Sequence, residues 1–440
     1  MKPSGLGWAG DIHAEWDTAK ICLVARLESG HTPSRQHPEY WVPEECTTPW
    51  VSLADVWQLR EGTEDYIGET SEKISAKGMA NSSARLLPTG TVVLSRTASV
   101  GFAGIMPHPM ATTQDFANWV PGERVSSEFL LYALRAMSEE FQRAMMGSTH
   151  QTIYMPDIRR LAIPIPPRSE QTEIVTYLRH QLPIVDKLIV NKERLLELLA
   201  MQRQALITET ITSGLNRGAQ TKDTVIPSMG RVPAHWNVQR LMHLTPSARK
   251  IMYGIVLPGP HVEGGIPVVK SGDCWPAKLR ADRLHRTTAE IEAPYARARL
   301  EPGDLVYAIR GSVGACAVVP EELRGANLTQ DAARIAPGPG VSPRWLLFAV
   351  QAHSTWVQLE AGVVGATVKG INIRDLKRPF IPVPPIEEQE AIAAFIERRV
   401  STIDATLEST ERSVSKLREY RQAIVTSAVT GKLHLANEEA

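Results

Sequence analysis

Apolar residues recur with a helical period along two separate stretches of the chain. Stepping alternately by four and three from Leu178 meets Leu182, Val185, Ile189, Lys192, Leu196, Leu199, Arg203 and Leu206. The same steps from Ile396 meet Val400, Ile403, Leu407, Thr410, Val414, Leu417, Arg421 and Ile424. Each series is a coiled-coil seam, interrupted by polar residues at the same two steps. Ser401-x-x-Asp404 has the form of a capping box, and Pro183 occupies the position equivalent to Ser401, where a first-turn proline is tolerated. The pattern therefore predicts a short helix followed by a long one, the long helices covering about 184–213 and 402–429 and spanning roughly 45 Å each. Two helices with equivalent seams are natural partners for one another, and an antiparallel pair is expected.

The equivalence extends well beyond the helices. The segment Ile163-Pro-Ile-Pro-Pro-Arg-Ser-Glu-Gln171 returns as Ile381-Pro-Val-Pro-Pro-Ile-Glu-Glu-Gln389, at an offset of 218. At that offset Asp186 maps to Asp404, Glu193-Arg194 to Glu411-Arg412, Arg203-Gln204-Ala205 to Arg421-Gln422-Ala423, Gly147-x-Thr149 to Gly365-x-Thr367, and Asp157 to Asp375. With small gaps, Val100-Gly101 matches Val313-Gly314, Thr113-Gln-Asp115 matches Thr329-Gln-Asp331, and Ala14-x-Trp16 matches Ala234-x-Trp236. The period is far too long for a solenoid, so the chain is a tandem duplication. Each copy begins with a mixed α/β part rich in Gly, Pro and Trp. Its short β-type runs, such as Gly90-Thr-Val-Val-Leu94 and Gly303-Asp-Leu-Val-Tyr307, follow Pro-containing turns. The Pro-Pro pairs at 166–167 and 384–385 mark the passage into helix. The expected organisation is a first globular part at 1–160, a central helical region at 161–216, a second globular part at 217–380 and a C-terminal helical region at 381–440. The fold class is α+β, with pseudo-two-fold symmetry.

Composition narrows the functional classes. With 440 residues, 43% of them hydrophobic and 22% charged, the chain is long enough for more than one core and is neither disordered nor fibrous. Cys22, Cys46, Cys274 and Cys316 lie far apart with no C-x-x-C pair, so they are read as small buried hydrophobes rather than as a zinc site or a disulfide framework. Asp11 and Glu15 interrupt the amino terminus where a secretory signal would be apolar, and no stretch approaches the length of a membrane span, which predicts a cytoplasmic chain with no membrane partner. The phosphate loop, the dinucleotide fingerprint, H-E-x-x-H and G-x-S-x-G are all missing from the sequence. So is the Asn/Asp-Pro-Pro-aromatic tetrapeptide of amino-methyltransferases, since Val383 and Ile386 flank Pro384-Pro385. The twelve histidines stand singly. No catalytic residues and no metal ligands are predicted.

A formal net charge of zero argues against a polyanionic partner, but it is an average. Residues 1–160 carry a net −5, 161–216 carry 0, 217–380 carry +8 and 381–440 carry −3. Within the basic part, Arg249, Lys250, Lys270, Lys278, Arg280, Arg283, Arg286 and Arg310, together with Lys369, are the candidate DNA contacts. In the first globular part the candidates are Arg35, Arg85, Arg96, His150 and Gln151. Arg310 and Gln151 stand out, because arginine suits guanine and glutamine suits adenine in the major groove.

At the Pro-Pro-x-x-Glu-Gln segments, each followed by a long helix ending in Arg-Gln-Ala, the sequence resembles the specificity subunits of type I restriction-modification systems, over essentially its whole length. Two departures are visible. Pro258-Gly-Pro260 stands where the first copy has Ser29-Gly-His-Thr-Pro33, and Ile373-Arg374 stands where the first copy has Met155-Pro156.

The resemblance implies that each globular part is a target-recognition domain reading one half of an asymmetric bipartite site in double-stranded DNA, while the helices set the spacer. It further implies docking of two methylation subunits, which bring S-adenosylmethionine, and association with two restriction subunits that use ATP and Mg. This chain would hold no cofactor and be non-catalytic. The alternative is a duplicated protein-interaction adaptor whose basic half binds an acidic partner without reading DNA. A standalone nuclease has no sequence feature in its favour.

Overall fold

The computed structural model describes residues 1–145, 151–360 and 370–433. It divides into two compact units that do not follow the linear segments: one contains Met1–Arg194 and Glu411–Ala440, the other Leu195–Thr410. Each therefore combines a globular part with a length of both long helices.

The first unit is built on a four-stranded antiparallel sheet of β1 (Ala25–Ser29), β2 (Val92–Ser95), β3 (Ala103–Ile105) and β4 (Phe116–Pro121), in the order β1-β4-β2-β3. The second repeats it with β5 (Met252–Tyr253), β6 (Leu305–Ala308), β7 (Cys316–Val318) and β8 (Ala332–Ile335), in the order β5-β8-β6-β7. The registers agree: Val92 pairs with Trp119 and Leu305 with Ile335. In each unit a smaller sheet adds a parallel pairing, Val51 with Thr112 and Val269 with Leu328, so Thr113-Gln-Asp115 and Thr329-Gln-Asp331 sit at matching strand ends. Gly30 and Gly254 are the residues that let two backbones meet beside this pairing. A Cβ would lie 2.1 Å from the Thr112 carbonyl oxygen in one case and 2.0 Å from that of Leu328 in the other. The counterpart of Gly30 is thus Gly254 rather than Gly259 of the Pro258-Gly-Pro260 run, and the apparent departure there came from matching letters across an insertion.

Helix α1 runs without interruption from Arg168 to Ser213 and α2 from Ile386 to Val429. Both start directly after the Pro-Pro pairs. The expected break near 183 and 401 is absent, and each helix is roughly 65–70 Å long at 1.5 Å per residue. Pro183 lies inside α1 on an exposed face and, having no N–H, gives no hydrogen bond to the preceding turn. Ser401 does not cap a helix; its hydroxyl donates to the Arg398 carbonyl at 2.9 Å in mid-helix. Continuity keeps Leu178, Leu182, Val185 and Ile189 on one face, and all four are buried. Gly214 and Gly431, at φ +70 and +69, end the helices in the left-handed conformation that glycine adopts most readily.

Within the first unit, Asp186 and Glu193 of α1 pair with Arg421 and Arg418 of α2, so the helices run antiparallel. Val414 is buried there and Leu417 half-buried. In the second unit Leu196, Leu199, Ile403 and Leu407 are half-buried, whereas Ile396 and Val400 are buried in a core with Trp345, Leu346 and Phe348. That end of the seam serves the globular core as well as the helix pair.

The repeated motifs tie helix to globular part. Gln171 is fully buried: its amide nitrogen donates to the carbonyls of Arg124 and Pro166, and its oxygen accepts from the Ser126 N–H that begins helix Ser127–Ala136. Gln389 does the same with Gly340, Pro384 and Ser342. Trp16 donates from Nε1 to Glu170 at 2.8 Å, and Trp236 to Glu388 at 2.9 Å. At the far ends of the helices, Gln204 donates to the Gln351 carbonyl and Gln422 to that of Arg135. The repeated Trp, Glu-Gln and Arg-Gln letters are thus tethers between each globular part and the helices.

Candidate nucleic-acid interface

In each unit the turn leaving the central strand of the larger sheet carries the same backbone. Thr97-Ala-Ser-Val-Gly101 joins β2 to β3, and Arg310-Gly-Ser-Val-Gly314 joins β6 to β7. Gly311 has φ +66, and Ala98 takes the equivalent φ of +58 despite its Cβ, at a cost of roughly 1 kcal/mol. The Ala98 N–H donates to the Gln151 carbonyl at 2.9 Å. Beside each turn runs a second segment: Thr97 bridges Thr152, and Arg310 bridges Gly370. The structure thus gathers Arg310 on one turn and exposed Gln151 beside the other, at closely corresponding places in the two units. His150 and Lys369 lie outside the described residues.

In the second unit the turn at Lys270–Asp273 lies against this tip, since a Cβ on Gly311 would stand 3.2 Å from Ser271 Oγ. Lys250, Lys270, Lys278 and Arg283 are exposed and have no ion pair or side-chain hydrogen bond among the described residues. Arg280 pairs with Asp282 at 3.2 Å on the surface, an arrangement that holds an arginine only weakly. Arg310 stands 3.9 Å from Asp331 and is exposed. His285, paired edge-on with His261, has its imidazole pKa lowered first by desolvation and then by the charge of Lys270.

Two members of the predicted cluster are braces instead. Arg249 is half-buried and grips Asp304 at 2.6 Å and Glu301 at 2.9 Å. Burial pushes the Asp304 carboxyl above its usual range, against the pull of Arg249. Arg286 donates to the carbonyls of Gly265 and Ala281. Their side chains are committed to closing loops, which leaves little to offer a phosphate.

The first unit offers fewer free cations. Arg35 stacks over Trp41 at 3.6 Å and pairs with Glu72, and Arg85 pairs with Glu28 at 2.6 Å. Arg96 is half-buried, donating to the Gln114 carbonyl at 2.7 Å. Gln151 alone among the described candidates keeps its side chain uncommitted.

The described residues hold no cluster of three or more metal-ligating side chains. None of their helices is long and apolar enough to cross a membrane. All four cysteines are free, but they are not uniformly buried. Cys274 and Cys316 are buried, with the Cys274 thiol pushed up to about 12 by desolvation, Cys46 is half-buried and Cys22 is exposed.

The repeat also carries a pair of tryptophans. Trp57 and Trp275, at an offset of 218, are both exposed. Their spacing was visible in the sequence; their exposure was not.

Comparison with known proteins agrees with this architecture. The family described as Type I restriction modification DNA specificity domain matches residues 14–197 and 262–413. The chain is 24% identical to the type I restriction enzyme EcoBI specificity subunit of Escherichia coli over 325 residues, 71% of this chain and 67% of that protein. It is 32% identical to the MjaIX specificity subunit of Methanocaldococcus jannaschii over 192 residues, 43% and 42% of the respective chains. The EcoKI specificity subunit of E. coli strain K12 is 19% identical across 97% of this chain and 90% of its own. Among solved structures, a chain from work on complex assembly and conformational transition of the type I R-M system superposes with a TM-score of 0.71 at 18% identity, covering 96% of this chain and 99% of that one. The HsdS subunit from Thermoanaerobacter tengcongensis gives 0.51 at 19% identity, covering 96% and 98%. These likenesses confirm the α+β fold with two long helices, and the match across most of the length is decisive: the chain belongs to the type I restriction-modification DNA specificity family.

Proposed function

We propose that the chain is the DNA-specificity subunit of a type I restriction-modification complex, with each globular part reading one half of an asymmetric bipartite site. The observation that carries this reading is one backbone bearing two different surfaces. The tip is Thr97-Ala98 in one unit and Arg310-Gly311 in the other, and the adjoining turn begins at Ser52 in one and Lys270 in the other. Equivalent scaffolds with unlike side chains suit two unlike half-sites, because base edges are told apart by the side chains that meet them.

The helices offer a place for partners. Beyond its seam α1 leaves Ile184 and Leu188 exposed in the first unit, and Leu195 and Leu198 exposed in the second, apolar positions of the sort another helix covers. This supports docking of methylation subunits, two in number, which would carry S-adenosylmethionine. Two restriction subunits using ATP and Mg would complete the complex. The chain supplies the address, and its partners the chemistry. Duplex binding measured across a salt series, with methylation subunits present, tests the proposal. Sequence-selective binding that weakens steeply with salt is the result expected, and the lack of any DNA binding under those conditions would favour the protein-interaction adaptor instead.

A further inference from the structure

Trp57 and Trp275 occupy the same point of the fold in the two units. Each follows a strand whose end is paired in parallel, at Val51 and at Val269. Each sits two residues beyond an aspartate that closes the turn: Asp55 accepts from the Ser52 N–H at 2.8 Å, and Asp273 from the Lys270 N–H at 2.9 Å. Both indoles face solvent, 67% and 48% exposed. Tryptophan is among the side chains most enriched in binding hot spots.

Their surroundings differ sharply in charge. Residues 54–69 contain five carboxylates and one arginine, whereas residues 272–287 contain four cations and two carboxylates. A phosphate backbone drawn to the second segment would be repelled by the first. What the two sites share is the uncharged ring and its place just after the turn that the aspartate closes. The Gly62 carbonyl, five residues after Trp57, accepts from Arg421 of α2 at 2.7 Å. Trp275 lines a cleft of about 800 Å3 with Trp356, His353 and, from α1, Arg203 and Gln204.

Duplication supplies the deciding argument. Side chains that read unlike half-sites must diverge between the copies, while side chains that meet two identical copies of one partner must repeat. We infer that Trp57 and Trp275 are twin anchors for the methylation subunit, each ring entering the same pocket on one of two identical copies. The inference rests on the reading of the chain as a subunit that docks two copies of that partner.

The test is titration of full-length chain with methylation subunit, followed by sedimentation and native mass spectrometry. The variants are Trp57→Ala, Trp275→Ala, the double alanine and the double phenylalanine. Each single alanine should weaken one of the two binding events by about tenfold or more and leave the other intact. The double alanine should weaken both, and the double phenylalanine should recover most of the affinity. Unchanged melting temperatures are expected, because the rings are exposed. Wild-type affinity for both copies in the double alanine would overturn the inference. Normal assembly with lost DNA binding would overturn it too, by placing the rings on DNA. Failure of the wild-type chain to bind any methylation subunit would instead overturn the subunit reading itself, and this inference with it.

Discussion

Arg421 of α2 donates from Nε to the Asp186 carboxylate of α1 at 2.6 Å, with both side chains mostly shielded from solvent. Its counterpart, Arg203 with Asp404 at 2.8 Å, is more exposed. Shielding decides what each pair contributes, since an exposed pair is screened and a shielded one leaves an unpaired charge when broken. Arg421→Ala should therefore destabilise the first unit by about 2 kcal/mol, and Arg203→Ala the second by about 0.5 kcal/mol. Calorimetric unfolding of the two variants beside wild type reads the difference, and equal losses would contradict the ranking.

The buried glutamines make a sharper demand on chemistry. Gln171 and Gln389 each donate twice to carbonyl oxygens and accept once from a backbone N–H. Replacement by alanine strands those groups in the interior, at a cost of roughly 2–3 kcal/mol. Replacement by glutamate should be no better, because a carboxylate would face two carbonyl oxygens. Chemical denaturation of Gln389→Ala and Gln389→Glu checks both statements.

Among the basic residues of the second unit, braces and free cations should separate by experiment. Lys270→Ala, Lys278→Ala and Arg283→Ala should each weaken duplex binding by the assembled complex and lower the salt slope by about 1, with no loss of thermal stability. Arg249→Ala should do the reverse, lowering stability by removing the partner of buried Asp304. A fluorescence-anisotropy salt series with parallel melting curves distinguishes the two groups.

The pH response of the second unit follows from Glu292. Its carboxylate is buried and accepts from Arg299 at 2.8 and 2.6 Å and from Asn327 at 2.8 Å. The hydrogen bonds from Arg299 hold its pKa below the ordinary value of 4.5, against the opposing effect of desolvation. A depressed folded pKa means the unfolded chain binds the proton more readily, so this stabilisation is present above about pH 4.5 and is lost as pH falls through the folded value. Glu292→Gln should be less stable than wild type at neutral pH and show a shallower loss of stability on acidification. Stability curves between pH 7 and pH 3 measure it.

Much of this architecture was legible in the chain, and the exceptions have physical causes. Repetition at offset 218 and the heptad steps disclosed the duplication and the helix starts, and the β-type runs after prolines disclosed the strands Val92–Ser95 and Leu305–Ala308, because periodicity and proline are local signals. Pro183 misled because its helix-breaking tendency is also local, whereas the burial of Leu178 and Leu182 in register with Val185 is tertiary. Arg249 looked like a free cation because its partner Asp304 lies 55 residues away in sequence. The repeated Glu-Gln and Arg-Gln letters were visible as repetition, but their work as tethers emerges only where Trp16 reaches Glu170 and Gln422 reaches the Arg135 carbonyl.

The central claim is that two equivalent folds with unlike reading surfaces address one asymmetric bipartite site. It is tested most directly by mapping methylated adenines in DNA from cells that express the chain with its methylation subunits. The account predicts a single motif of two different half-sequences separated by a fixed unread spacer, with one half altered and the other retained when residues 217–380 are exchanged for those of a relative. A continuous or palindromic motif, or one unchanged by that exchange, would contradict it.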